Sequence, residues 1–435
     1  MKNKKWMAIL LGGIMAASLA APCSVSAAEK TTLTFWHAMG GTNGEVLQQI
    51  VDDFNASQDE IEVKAEYQGT YDDTITKLKA AMQSDSGLPD VCQMYDVGTK
   101  FMYDSGAVIP VEDKFESTGY DKSSVMDVIS SYYTVDGKQY AMPFNVSTPM
   151  LYYNKDVFEA AGLDPETPPT PYDEVLEDAK KIVESGAAPV GYSQAIYGWF
   201  FEQQLAGLGV TYGNNDNGRK EAVTAVDFDS NGGGLKVFDM WKKLYDSGYF
   251  EDYGTTTADT QTAFFSGQVG MIIESTAILK NAVDSSPFEV GTGYLPRIEQ
   301  NDEGGVIIGG GSLWLTDTGN EANEDAAWKF IEYITTPDVQ AKWSMGTGYF
   351  AINEKAYETE DMKAYLKENP NFETAINQLK DSPVNCNTAG VLSGVQTEAR
   401  LTFNEIMPQV YDGKLTTQDA VDQLAASVNK AIENY

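Results

Sequence analysis

The sequence contains a single histidine, His37, and this scarcity excludes several classes of catalytic site. A histidine-based zinc site needs several imidazoles, and a Ser-His-Asp or Cys-His arrangement would have to use this one ring. A GxxxxGK[ST] phosphate loop is missing, and no GxGxxG motif lies between a strand and a helix. A carboxylate pair that hydrolyses a glycosidic bond stays open, because 64 acidic residues allow many pairs.

The charge balance limits the partners of the protein. Lys and Arg number 30 against 64 Asp and Glu, which gives a net charge of -34. Nucleic acid and anionic membrane surfaces would repel such a chain, so neither is an expected partner. The 435 residues, of which 42% are hydrophobic, are enough for one large two-lobed unit or two domains.

Residues 1–28 have the pattern of an export signal peptide. Three lysines precede an apolar stretch over residues 7–21, and Val25–Ala27 fits the small-x-small cleavage rule. The apolar stretch is interrupted by glycines and is shorter than a membrane span requires, so we expect it to be cleaved. The protein is then exported, to the periplasm or the cell surface.

The three cysteines raise two further questions. The run before Cys23 loosely resembles a lipoprotein cleavage box, but Pro22 stands where a small residue is expected. Lipid anchoring through Cys23 is therefore the less favoured alternative. Cys92 and Cys386 lie far apart in the sequence with no sign that they are neighbours, so we expect two buried thiols.

Alternating hydrophobic patterns predict the elements that hold the chemistry in place. Residues 33–36, 61–67 and 91–95 have the pattern of strands, and residues 46–54 and 75–82 repeat at helical spacing. This strand-helix-strand-helix-strand order predicts a parallel α/β sheet. A second block after residue 140 contains more helices and a buried strand near 269–273, and the chain ends in helices. No repeat or low-complexity linker separates the blocks, so we expect interlaced lobes.

Five segments, taken in order, carry a resemblance to a known family. They run through essentially the whole mature chain, which makes them more specific together than any one motif. In this order the segments resemble the periplasmic glycerol-3-phosphate-binding proteins of ABC importers, within extracellular solute-binding protein family 1. The segments are Thr34–His37, Tyr95–Thr99, Pro143–Asp156, Ile308–Trp314 and Thr347–Tyr349.

The resemblance implies a two-lobed α/β fold. Each lobe would be a mostly parallel sheet flanked by helices, with a hinge between the lobes. By analogy with the family, residues 29–140 and 276–335 form the N-terminal lobe, and residues 141–275 and 336–435 form the C-terminal lobe.

The resemblance also implies a set of ligand-binding residues. A guanidinium presents forked donors that match phosphate oxygens, serine and tyrosine hydroxyls donate to the remaining oxygens, and an ionised aspartate accepts from glycerol hydroxyls. Each residue also has an ordinary structural interpretation, such as a surface ion pair, a turn or a core aromatic. The implied residues are Tyr71, Asp96, Ser147, Trp199, Ser275, Gly310, Tyr349 and Arg400.

Two departures from the family pattern affect selectivity. The family more often has Glu at the position of Asp96, so the hydroxyl contact requires a shifted ligand, a shifted backbone or a water. The family also tends to have two tryptophans where this chain has Ile196 and Trp199. We expect the missing indole at Ile196 to widen the pocket, so that a substituent on the phosphate is accepted.

These features predict a binding protein rather than an enzyme. The predicted ligand is glycerol 3-phosphate or a glycerophosphodiester such as glycerophosphocholine. The protein would deliver this ligand to a membrane permease and would act as a monomer without a cofactor or metal. A receptor for a neutral di- or oligosaccharide is the first alternative, and it would leave Arg400 without an anion. A carboxylate-pair glycoside hydrolase is the alternative from another functional class.

Overall fold

The computed structural model describes residues 30–84 and 87–435. The predicted signal peptide and Cys23 lie outside the described residues. None of the helices within these two ranges combines the length and the apolar character that crossing a membrane requires.

Twelve strands form two principal sheets and a small hairpin in the described part of the chain. The strands are β1 (Thr31–His37), β2 (Ile61–Tyr67), β3 (Val91–Tyr95), β4 (Val108–Ile109), β5 (Thr134–Val135), β6 (Lys138–Gln139), β7 (Met142–Ser147), β8 (Pro149–Asn154), β9 (Val190–Ser193), β10 (Val269–Ser275), β11 (Val290–Gly293) and β12 (Gly309–Thr316).

Helices cover both sheets. The helices are α1 (Gly41–Ser57), α2 (Tyr71–Met82), α3 (Thr99–Ser105), α4 (Val111–Thr118), α5 (Asp127–Ser130), α6 (Lys155–Ala160), α7 (Tyr172–Ser185), α8 (Gly198–Gly207), α9 (Asn214–Gly218), α10 (Gly233–Asp246), α11 (Thr257–Phe265), α12 (Leu279–Ser285), α13 (Glu321–Ile334), α14 (Pro337–Thr347), α15 (Glu360–Glu368), α16 (Asn371–Asp381), α17 (Gln396–Tyr411) and α18 (Thr417–Asn434). The short α9 contains three consecutive residues with left-handed backbone angles.

The first sheet has the strand order β2-β1-β3-β12-β4, and β7 also pairs with β12. Strand β1 runs parallel to β2 and β3, which confirms the predicted strand-helix-strand-helix-strand start of the chain. Strand β12 enters from much later in the sequence and runs antiparallel to its three neighbours. The late strand therefore joins the two blocks of the chain into one sheet.

The second sheet has the order β11-β8-β10-β9. Only β9 and β10 are parallel, while β8 is antiparallel to both β10 and β11. The predicted α/β architecture with two lobes is confirmed, but the expectation of mostly parallel sheets is wrong. Strands β8, β11 and β12 run opposite to the strands beside them, so these pairs have the antiparallel hydrogen-bond pattern.

Sheet membership differs from the expected lobe ranges at two places. Residues 290–293 pair with β8 of the second sheet, although 276–335 was expected in the first lobe. Helix α14, expected in the second lobe, packs against α1 of the first. The lobe boundaries given above stay a prediction.

The chain passes from the first sheet to the second between β7 and β8, next to the end of β10. Strand β7 ends at Ser147 and β8 begins two residues later, and β10 ends at Ser275. The buried Thr148 donates its N–H to the hydroxyl of Thr276 at 3.1 Å, and the N–H of Thr276 donates to the carbonyl of Thr148 at 2.8 Å. These hydrogen bonds hold the ends of β7 and β10, and with them the two serines, next to each other.

Both cysteines among the described residues are free thiols. Cys92 is fully buried, and this burial raises the pKa of its thiol to about 12. Cys386 is only partly buried, so the expectation of two buried thiols is wrong for Cys386.

Candidate functional site

All eight predicted ligand-binding residues line one cavity of about 570 Å³ at the junction of the two sheets. They come from the ends of strands β7 and β10, from the loop after β3, from helices α2, α8 and α17, from β12 and from the end of α14. The structure therefore brings these distant residues together at one cavity, and their role in ligand binding stays a prediction. The lining residues among them are Tyr71, Asp96, Ser147, Trp199, Ser275, Gly310, Tyr349 and Arg400.

The guanidinium of Arg400 is the positive charge in the wall of this cavity. Its Nε and Nη2 donate to the two carboxylate oxygens of Glu202, both at 2.7 Å. Nη2 also donates to Oδ2 of Asp96 at 3.2 Å. All three side chains are at most 11% exposed. One edge of the guanidinium therefore already binds Glu202, and the predicted contact with a phosphate is left to its remaining donors.

The remaining terminal nitrogen of Arg400 is available to a ligand. Nη1 forms no hydrogen bond with any residue that the structure describes. Burial alone would lower the pKa of Arg400, but Asp96 and Glu202 outweigh burial and raise it well above its usual value. Arg400 is therefore always charged and offers two N–H groups to an anion.

A glycine allows the contact between Arg400 and Glu202. A Cβ on Gly198 would lie 2.5 Å from the Cα of Arg400, so only glycine lets α8 approach α17 this closely. The N–H of Gly198 also donates to Oδ1 of Asn404 at 2.9 Å. Glu202 follows one turn later on α8 and reaches Arg400 from the same face of the helix. The close packing of two helices thus positions the charged pair.

Asp96 lies where β3 ends and a short 3-10 helix begins. Its Oδ1 accepts the N–H of Val97 at 2.8 Å, and its Oδ2 accepts from Arg400. From the sequence, Asp96 was expected to bind glycerol hydroxyls alone. In the structure its carboxylate is shared with Arg400, the anion-binding group.

Two serine hydroxyls at the ends of strands β7 and β10 face the cavity. The Ser147 hydroxyl makes no hydrogen bond to another described residue, although the side chain is only 4% exposed. The Ser275 hydroxyl accepts the N–H of Ala277 at 3.2 Å and keeps its own hydrogen for a ligand. Both can donate to phosphate or carbonyl oxygens.

Two tyrosines hold their rings in place by stacking. Tyr71, in the first turn of α2, stacks on Tyr95 with ring centroids 5.1 Å apart, and its hydroxyl accepts from Nδ2 of Asn145 at 2.7 Å. Tyr349 follows the end of α14 and stacks on Trp343 at 5.7 Å. Stacking already fixes both rings, so the two hydroxyls stay at the cavity. Little side-chain freedom is therefore lost when a ligand binds.

Gly310 and Trp199 form a further part of the cavity wall. Gly310 has a φ of +93°, and a Cβ there would lie 1.9 Å from the carbonyl oxygen of Asn145. The indole of Trp199 packs against Gly309, where a Cβ would come within 2.6 Å of the ring. The Nε1 of Trp199 is buried and has no hydrogen-bond partner among the described residues. An unpartnered buried N–H is costly, so a ligand acceptor at this point would satisfy it.

Ile196 does not line the cavity. Its side chain is 1% exposed and belongs to the hydrophobic core that includes Trp199 and Phe200. Its N–H donates to the carbonyl of Gly254 at 2.9 Å. The expectation that Ile196 directly widens the pocket is not supported by this position, because the side chain points into packed core. Its role in selectivity stays a prediction.

Several residues at the site were not predicted from the sequence. Four of them line the cavity, and Glu202 pairs with Arg400 without lining it; the four are Tyr95, Tyr197, Gln261 and Glu274. A signal existed for the two glutamates. Each is the only charged residue of an otherwise apolar or neutral element, Glu202 in α8 and Glu274 in β10. A single charge in a buried element indicates a partner or a ligand.

The chemistry of this wall is that of binding. Within residues 30–84 and 87–435, no group of His, Cys, Asp and Glu is arranged to hold a metal ion. The wall combines one fixed cation, several free hydroxyl donors and aromatic faces. Such a wall suits a small polar ligand that carries an anionic group.

Comparisons with known proteins agree with this description. Residues 49–374 match the family model of bacterial extracellular solute-binding proteins. The sn-glycerol-3-phosphate-binding periplasmic protein UgpB of Brucella abortus is 32% identical over 98% of both chains.

Solved structures with the same fold cover nearly the whole chain. The cyclic alpha-maltosyl-1,6-maltose binding protein of Arthrobacter globiformis is 26% identical, with a TM-score of 0.78 over 94% of this chain and 100% of that one. UgpB of Mycobacterium tuberculosis in complex with glycerophosphocholine is 20% identical, with a TM-score of 0.79 over 93% of this chain and 99% of that one. The latter likeness concerns the fold.

Proposed function

The chain belongs to the bacterial extracellular solute-binding proteins, and from this premise we propose that it captures glycerol 3-phosphate or a glycerophosphodiester for an ABC importer. The family consists of exported binding proteins, so the protein is not an enzyme and the glycoside hydrolase alternative is set aside. The protein would act as a monomer and would deliver its bound ligand to a membrane permease. Lipid anchoring through Cys23 stays an alternative to a free periplasmic protein.

The observation that carries the phosphate assignment is the free Nη1 of Arg400 in a desolvated wall. A buried guanidinium with unused N–H groups favours an anion, and Ser147 and Ser275 can donate to the same anion from the ends of β7 and β10. Relatives named for glycerol 3-phosphate support this assignment. Closure of the two lobes over the ligand would then be a shift between open and closed states.

A receptor for a neutral sugar is the second candidate. The aromatic faces of Tyr197 and Trp199 line the cavity, and acidic groups beside them can accept sugar hydroxyls. A solved relative of the same fold is named for a maltose-type ligand. In that function Nη1 of Arg400 would have no anion and would bind a neutral acceptor.

A calorimetric titration with glycerol 3-phosphate, glycerophosphocholine and maltose, measured in parallel, separates the two functions. We expect binding heat with at least one phosphate ester and none with maltose. Heat with maltose alone would overturn the phosphate assignment and support the sugar receptor.

A further inference from the structure

Glu274 is a carboxylate in the cavity wall that the proposed phosphate site does not use. It is the last residue but one of β10, directly before Ser275, and is 4% exposed. It lines the same cavity as Arg400. Besides Arg400 and Asp96, a third acidic or basic side chain therefore lines the ligand space.

The hydrogen bonds of Glu274 leave it without a countercharge. Oε2 accepts from Nε2 of Gln261 at 3.0 Å, and Oε1 accepts the N–H of Ser275 at 2.7 Å. Among the described residues, no Lys, Arg or His nitrogen pairs with it. Burial raises its pKa, as expected for a carboxylate that two neutral donors only partly stabilise.

The other two carboxylates of the site are different, because Arg400 pairs with both of them. Glu202 takes two hydrogen bonds from the guanidinium and Asp96 takes one. Among the described residues at this site, one cation therefore stands against three carboxylates, of which Asp96 and Glu274 line the cavity and Glu202 pairs with Arg400. A ligand phosphate adds further negative charge, which a cation brought by the same ligand would compensate next to Glu274.

The cavity has the space and the surfaces for a cationic substituent. Its volume of about 570 Å³ lies in the range of sites for ligands larger than a simple phosphate monoester. The half-buried ring of Tyr197 lies 6.2 Å from that of Trp199. Tyr197 lines the same cavity as Arg400 and Glu274. These aromatic faces suit a quaternary ammonium by cation–π contact.

We propose that Glu274 is a specificity-determining residue that binds an ammonium or quaternary ammonium group of a zwitterionic glycerophosphodiester, while Arg400 binds its phosphate. This inference rests on the proposed function and narrows it from phosphate esters in general to esters that carry a positive charge. The carboxylate of Glu274 selects charge and not size, because its contribution is electrostatic.

The test compares three ligands by calorimetric titration at constant ionic strength. The ligands are glycerophosphocholine, its uncharged isostere with a 3,3-dimethylbutyl group in place of choline, and glycerol 3-phosphate. The wild-type protein should bind the choline ester at least about tenfold more tightly than the isostere, the scale of one buried charge pair. This comparison requires no variant, so a folding defect cannot obscure it.

Two variants assign the effect to Glu274. Glu274→Gln keeps the shape and should remove the preference for choline over the isostere, while binding of glycerol 3-phosphate stays the same or tightens. Glu303→Gln is the matched control, because Glu303 is exposed, lies outside the cavity and removes the same charge. The control should keep the wild-type preference.

The failures are distinguishable. Equal binding of the choline ester and the isostere, a preference that survives Glu274→Gln, or binding of glycerol 3-phosphate without the choline ester would each overturn the role of Glu274 and leave the proposed function standing. Absence of binding by all three phosphate esters would overturn the proposed function itself, and this inference with it.

Discussion

Replacing Arg400 by glutamine should affect both stability and ligand binding. The effect on stability is expected because the guanidinium neutralises two buried carboxylates, Glu202 and Asp96. Removing one partner of a buried ion pair leaves an uncompensated charge, which costs about 3–5 kcal/mol of the free energy of unfolding.

The loss of ligand affinity is a separate quantity. Arg400 offers Nη1 to a desolvated phosphate, and truncating a buried, hydrogen-bonded charge pair costs about 2–5 kcal/mol of binding free energy. A lysine in place of Arg400 should recover only part of this binding free energy, because a lysine cannot make the two-point contact with Glu202 that holds the guanidinium in place. The two effects have different origins and can be separated.

A second substitution removes the unpaired charge. In the double variant Arg400→Gln with Glu202→Gln, the amide of residue 202 is neutral and can still accept the hydrogen bond from Gln396. We expect most of the free energy of unfolding to return, because only Asp96 remains uncompensated. Glycerol 3-phosphate binding should stay weak in the double variant, because the phosphate-binding cation is still absent.

Urea unfolding of the ligand-free proteins and calorimetric titration with glycerol 3-phosphate measure the two quantities. Arg297→Gln is the matched control, because Arg297 is exposed and lies outside this cavity. It should match the wild type in both assays. Wild-type affinity in Arg400→Gln would refute the phosphate role, and equal unfolding free energies for the single and double variants would refute the buried-pair argument.

Four further perturbations test other parts of the wall. Trp199→Phe removes an unpartnered N–H that a ligand acceptor would satisfy, so calorimetry should show about 0.5–1.5 kcal/mol weaker ligand binding. Gly310→Ala should lower the free energy of unfolding by about 1–3 kcal/mol or more, while Gly207→Ala, where a Cβ meets nothing within 4 Å, should be close to neutral. Burial raises the pKa of Glu274, so the folded state holds that proton more tightly than the unfolded state, and stability falls as the pH rises through the raised pKa. Glu274→Gln should therefore gain stability relative to wild type at pH 7 but not at pH 4, as measured by urea unfolding at both. Ile196→Trp should lower the free energy of unfolding by about 1–3 kcal/mol through overpacking, and a selective loss of diester binding beyond that would restore Ile196 as a selectivity residue.

The sequence predicted the local elements of this protein well. Period-2 and period-3.6 hydrophobic patterns are local, so the first three principal strands and the helices between them follow directly from residues 31–95. Matched motifs in order also predicted eight residues that line one cavity, although they come from positions between 71 and 400. Their ligand roles remain predictions.

Only the tertiary structure decided which charges meet. The sequence analysis treated Arg400 as a free anchor, because nothing in the local pattern shows that Gly198 lets α8 approach α17 and places Glu202 against the guanidinium. The direction of β12 was also not predictable, because β12 follows its neighbours β3 and β4 by some 200 residues in the sequence. Ile196 was expected at the ligand but lies in the core, whereas Glu274 was not predicted and lies at the cavity wall. The sequence does not show this difference, because side-chain exposure depends on packing between distant elements and not on sequence spacing.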